Sequence, residues 1–255
     1  MKLTDIVNEE YKDIRHDTAD SIKMKGSLTN EKITKMYASF LKTIDEKNCG
    51  IRGLEDYKTA RDLLLDEKIL YEPEDITLFC FVLQEYQENE YFNASGLFLS
   101  ALINVHYEQT TFKGEYLLHL GFSDNEDTEI DCLGIKNAGA HIHVVGNVGY
   151  FLGEKMERGT IQVDGNASCN LGNLMFGGEV YIKNAGKKVG RLMARGSIFA
   201  DEIESIDESF KSGKIVSKKK IEGFDIRKLE SVASYAEIYS AGEQINARNT
   251  FWDKK

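Results

Sequence analysis

A single proline, Pro73, stands in 255 residues, so long disordered linkers, which are usually richer in it, are not indicated. The four cysteines, Cys49, Cys80, Cys132 and Cys169, lie far apart with no C-x-x-C spacing. That excludes a sequence-local zinc site and predicts four free thiols in a reducing compartment. Positive charge is in deficit: Lys+Arg 32 against Asp+Glu 42 leaves a net charge of -10, which opposes adhesion to nucleic acid or anionic membranes. No apolar run approaches the roughly 20 residues needed to cross a bilayer. The longest, over 97–105, is interrupted by Ser100 and Asn104 and reads as a buried helix. The first residues carry Glu9 and Glu10 and no apolar signal region, so the expectation is a cytoplasmic chain. Its partner should be a protein or small molecule, with no nucleic acid, membrane or cofactor.

What is present divides in two. From Ile33 the apolar residues Ile33, Met36, Tyr37, Phe40, Leu41 and Ile44 recur at steps of three and one, one face of a helix that Thr29 or Asn30 can cap and Asn48, Cys49 and Gly50 can end. A second helix is predicted over 55–70, and a third from Pro73, where Glu74 and Asp75 suit the positive end of the helix dipole. A fourth, over 93–107, is apolar nearly all round and reads as the centre of a bundle. The first twenty residues fit a further helix through Leu3, Ile6, Val7 and Ile14. His16 and His106 have no sequence-local partners, and the acids of this half read as solvated helix faces.

The second half repeats. Ile142-His143-Val144 leads to Gly146, Gly153, Met156 and Gly159; Ile161-Gln162-Val163 leads to Gly165, Gly172, Met175 and Gly178; Val180-Tyr181-Ile182 leads to Asn184, Gly190, Met193 and Gly196. Glycines and methionines keep the same offsets of 19 and 18, two independent markers in one register. Each unit supplies a short strand with β-branched residues pointing inward, glycine corners that permit positive φ, and a methionine filling an irregular core gap. Asn184 replaces one corner glycine because asparagine tolerates the left-handed region. One coil cannot bury its own apolar face, so the stack is the folding unit. Degenerate coils are expected before it, from Leu133-Gly134 to Gly139, and after it, through Ile198, Ile203, Ile206 and Ile215.

Written as G-x-x-M-x-x-G-x-[IV]-x-[IV], the segment over 134–216 resembles the GXGXG β-helix found at the C-terminal end of the glutamate synthase large subunit and in one subunit of formylmethanofuran dehydrogenase. The resemblance covers about a third of the chain. It departs where Arg158 and Arg195 replace the first of the paired glycines kept at Gly177-Gly178, and at Asn184. It implies a right-handed β-helix that holds other domains or subunits in place without supplying chemistry. The amidotransferase, flavin and iron–sulfur parts of a glutamate synthase have no counterpart here.

Other readings compete. A left-handed hexapeptide β-helix, whose members include acyltransferases, wants an aliphatic residue before most glycines; Val145, Leu152, Leu171 and Val189 comply, while Arg158, Asp164, Gly177, Lys183 and Arg195 do not. His141 and His143 share one strand face without further metal ligands. Asp124, Glu126, Asp127, Glu129 and Asp131 lack the central glycine of a calcium loop and read as a solvated acidic loop. Gly146, Gly149 and Gly153 lack the spacing and helix of a dinucleotide loop, and Lys218, Lys219 and Lys220 read as a solvated turn.

The outward residues His143, Gln162, Tyr181 and Phe199 fall in register as a column that grows more aromatic along the chain. Such a column must dock, and the helical half is the expected cover, ahead of a partner or a homo-oligomer. The reading is therefore an α+β protein: a helical domain over 1–115, a right-handed parallel β-helix with 18–19-residue glycine-marked coils over 116–222, and a C-terminal helix and tail over 223–255. Its expected role is a non-catalytic scaffold or interaction subunit with no catalytic, cofactor or metal residues. The alternative is a small enzyme of left-handed β-helix acyltransferase type or an amidotransferase-associated subunit, which would place His119, His141 or His143 beside carboxylates in a cleft.

Overall fold

The computed structural model describes residues 28–44, 49–87, 92–120, 129–221 and 236–245. Among these residues four helices, α1 (Leu28–Leu41), α2 (Cys49–Glu67), α3 (Pro73–Gln87) and α4 (Phe92–Gln109), precede eight strands: β1 (Glu115–His119), β2 (Ala138–Val145), β3 (Arg158–Ala167), β4 (Glu179–Ala185), β5 (Ser197–Ile203), β6 (Gly213–Ser217), β7 (Ala236–Ser240) and β8 (Glu243–Gln244). The strands form one sheet in sequence order, parallel except for β7 with β8, wound as a solenoid of about five turns.

The helical periodicity is realised on the expected face: Ile33, Met36, Tyr37, Phe40 and Ile44 are buried, and Leu41 is partly so. Tyr37, Phe79 and Phe98 meet with ring centroids 5.2–5.6 Å apart. Two boundaries are corrected. α1 closes at Leu41, where Lys42 and Thr43 amides donate to the Ser39 and Phe40 carbonyls, and Cys49 and Gly50 begin α2 rather than ending α1. At α3, Pro73 follows Glu72, whose amide donates to Asp75 Oδ2 at 3.0 Å, the N3 half of a capping box.

In the solenoid, Ile142, Ile161, Val180, Ile198, Ile215 and Ile238 form one inward column through direct strand pairing. All are buried. Met156, Met175 and Met193 form a second column, fully buried, and each reaches under the glycine of the next coil. A Cβ on Gly178 would lie 2.4 Å from Met156 Cε, and one on Gly196 2.7 Å from Met175 Cε. That close approach, at φ +83 and +98, is why glycine and methionine recur together. At the preceding corner three alternate residues take positive φ in each coil, as in Phe151, Gly153 and Lys155, then Asn170, Gly172 and Leu174. The corners bond from coil to coil, Lys155 N to Asn173 O at 2.9 Å and Leu174 N to Arg191 O at 2.8 Å.

The structure extends the repeat at both ends. Asn137, fully buried, takes the methionine position of the first coil; its side chain donates to Ala140 O at 2.9 Å and accepts from the Gly139 and Ala140 amides. Phe210, three residues before Gly213 as Met193 is before Gly196, takes it in the last. The C-terminal helix expected over 223–255 is corrected where that segment is described: 236–245 forms β7 and β8, turned through Ala241 and Gly242 at φ 52 and 82. In Ala-Glu-Ile-Tyr-Ser, Ile238 points in and Tyr239 out, a period of two that suits a strand. The rest of that segment, the predicted helix of the first twenty residues, His16, and Asp124, Glu126 and Asp127 lie outside the described residues.

Candidate interaction face

Parallel pairing places the outward residues in register: Leu117 with His143, His143 with Gln162, Gln162 with Tyr181, Tyr181 with Phe199, Phe199 with Val216, and Val216 with Tyr239. The expected column of four is thus the middle of a column of seven. Tyr181 and Phe199 stack with centroids 4.9 Å apart and planes at 9°. Tyr181 donates its hydroxyl to Glu179 Oε2 at 2.7 Å, and Lys214 Nζ sits 5.3 Å from the Tyr239 ring centre.

The expected cover is corrected. The helices pack on the first two strands, α3 against β1 and α4 against β2, with Thr77 Oγ1 donating to Leu117 O at 2.7 Å. They do not reach the centre of the face: Tyr181 is 39% exposed and Phe199 half-buried. The reason lies in α4, whose small and polar residues fit the end of the solenoid instead. Gly96, Ser100 and Asn104 line one helical stripe. A Cβ on Gly96 would meet Asp131 O at 1.8 Å; Ser100 Oγ accepts from Gly134 N at 2.8 Å; Asn104 Nδ2 donates to the Ile135 and Lys136 carbonyls and to Tyr57 Oη. Polar residues four apart in an otherwise apolar helix were the signal for this cap.

The histidines separate. His143 Nδ1 lies 3.2 Å from Glu115 Oε2 and its Nε2 2.8 Å from Asp164 Oδ2, a bridge across β1, β2 and β3 on the outer face rather than in a cleft. Burial opposes ionisation of Asp164, but hydrogen bonds from His143 and Gln162 and the nearby positive charge hold its carboxyl below the ordinary value. His141 meets Thr160 Oγ1 at 2.7 Å. His119 and His106 are both held below the ordinary histidine range by burial, and His106 Nδ1 lies 2.7 Å from Tyr116 Oη inside an aromatic cluster.

Among the described residues no group of three or more His, Cys, Asp or Glu could hold a metal, and no helix is long and apolar enough to cross a membrane. A groove of about 270 Å³ opens between α1 and α2, lined by Met36, Leu63 and Ile69 with Lys32, Lys35 and Glu67, far in sequence from the histidine bridge. Asp131 is a further perturbed group: burial pushes its carboxyl up to about 6, against the hydrogen bond it accepts from Tyr150 N at 2.7 Å. Comparison with protein-family models, curated proteins and solved structures found no match for this chain.

Proposed function

We propose that the chain is a non-catalytic scaffold or interaction subunit of the cytoplasm, built on right-handed coils of the GXGXG type, whose outward aromatic column docks another protein chain. The observation that carries this is the stacked, half-exposed Tyr181–Phe199 pair at the centre of a regular parallel face that the helices leave open. Large aromatic surface on a rigid platform is what protein interfaces enrich. The coil type is supported by the 19- and 18-residue register and by strands as long as Arg158–Ala167, longer than the short faces of hexapeptide repeats. Free Cys80 and Cys169 fit a reducing compartment.

Affinity purification of the tagged chain from its native host, followed by native mass determination, tests the reading. Stoichiometric recovery of a second chain, different or identical, that is lost in the Tyr181→Ala/Phe199→Ala variant supports it. A monomer that retains no protein overturns it, as does recovery indifferent to both substitutions.

A further inference from the structure

We infer that the occupant of this face is a second copy of the same chain, packed sheet to sheet about a two-fold axis that runs parallel to the strands between β4 and β5. The inference rests on the docking role proposed above and names the partner.

The charges that flank the aromatic column fit a second copy. On the side toward the strand ends, Asp164, Lys183 and Asp201 lie on β3, β4 and β5, and Lys218 directly follows β6. Lys183 acts on Asp164, Lys183 and Asp201 sit between the paired residues Ile182 with Ala200 and Asn184 with Glu202, and Lys218 Nζ lies 2.5 Å from Asp201 Oδ1. The signs alternate, so the column is antisymmetric about the line between β4 and β5. A two-fold axis on that line reverses the strand order and keeps the position along each strand. Lys183 then faces Asp201 of the second copy, and Asp164 faces its Lys218. Four opposite-sign pairs form and no like pair. On the other flank Glu179 of β4 meets Ser197 of β5, Lys214 of β6 meets Thr160 of β3 and His141 of β2 meets Glu237 of β7, so no like charges are directly opposed there.

The central column is consistent with the same axis. Tyr181 meets Phe199, Gln162 meets Val216 and His143 meets Tyr239, so the aromatic pairs converge at the centre, where desolvation is most complete. An unrelated partner has no reason to match an antisymmetric pattern at this one line; a second copy does so by symmetry, as an isologous interface requires. Size sets the strength. Six strands at about 4.8 Å spacing and five residues at about 3.3 Å give a plane of roughly 29 by 16 Å on each copy. This falls at the small end of specific interfaces, where association is reversible.

Sedimentation velocity on the full chain across micromolar to submillimolar concentration tests this, with Lys183→Asp and Asp201→Lys as variants. The wild type should form a reversible dimer. Each variant alone opposes like charges across the axis and should weaken self-association about tenfold or more, with thermal unfolding confirming that each folds. Mixing the two should restore association, because the carboxylate introduced by Lys183→Asp in one chain then faces the ammonium introduced by Asp201→Lys in the other, and the two unaltered groups face each other likewise. A wild type monomeric throughout, or variants whose mixture stays as weak as each alone, overturns the inference. In that event a different protein captured through Tyr181 and Phe199 would leave the docking role standing and fault only the identity of the partner.

Discussion

At the scale of single residues, the methionine–glycine contact sets the coil spacing. Alanine at Gly178 would place its Cβ 2.4 Å from Met156 Cε and 2.9 Å from Gly159 O at a φ of +83, so Gly178→Ala should cost about 2–4 kcal/mol in chemical denaturation. Met156→Ala removes the flexible half of that clash while leaving a cavity, so the double variant should cost less than the sum of the two. Asp131 gives a pH signature. Its folded pKa, about 6, lies above the ordinary 3.8, so its protonated form favours the folded state. The stability from this group is full below the ordinary value and is lost as pH rises through about 6. Asp131→Asn keeps the acceptor for Tyr150 N and should therefore raise stability at pH 7.5 by on the order of 1 kcal/mol, with allowance for solvent screening. A lower Tm at pH 7.5 would contradict this. These markers differ in legibility. Glycine and methionine recur visibly because the spacing is tight, whereas nothing in Phe151, Lys155 or Leu174 announces positive φ. Those residues tolerate it because coil-to-coil hydrogen bonds hold the corner, at about 1 kcal/mol each.

At the scale of elements, α4 closes the open end of the solenoid. A parallel stack exposes the amides and carbonyls of its first coil, which invite pairing with another chain, and Ser100 and Asn104 occupy them. Asn104→Ala leaves the Ile135 and Lys136 carbonyls and the Tyr57 hydroxyl without that donor. It should destabilise by about 2–4 kcal/mol and promote aggregation on heating, measured by denaturation and light scattering; an unchanged midpoint would contradict the capping role. The four helices were legible because a period of 3–4 survives wherever one face is buried. β1 and β7 were not: Glu-Tyr-Leu-Leu-His and Ala-Glu-Ile-Tyr-Ser carry no glycine or methionine marker, and only pairing with β2 and β6 makes them strands. Asn137 and Phe210 escape notice for the same reason, since each fills the methionine position with different chemistry.

At the scale of the whole molecule, the coils are interchangeable units whose neighbours supply their stability. Excision of 153–171, one 19-residue coil by the glycine and methionine offsets, preserves the inward column and should yield a shorter chain that still unfolds cooperatively, whereas excision of about half that length from the same stretch should not fold. Circular dichroism and thermal melts distinguish them. The candidate face was half legible. Its four central members follow from strand register, but their exposure depends on where α4 and α3 settle, and that is decided by Gly96, Ser100, Asn104 and Thr77 at a distance in sequence.

The row of methionines also makes the protein a gauge of its own opening. Met156, Met175 and Met193 are fully buried and closed off by Asn137 at one end and Phe210 at the other. Peroxide can convert their thioethers to sulfoxides only when a coil lifts away. The order in which the three oxidise would therefore report which end of the stack unzips first.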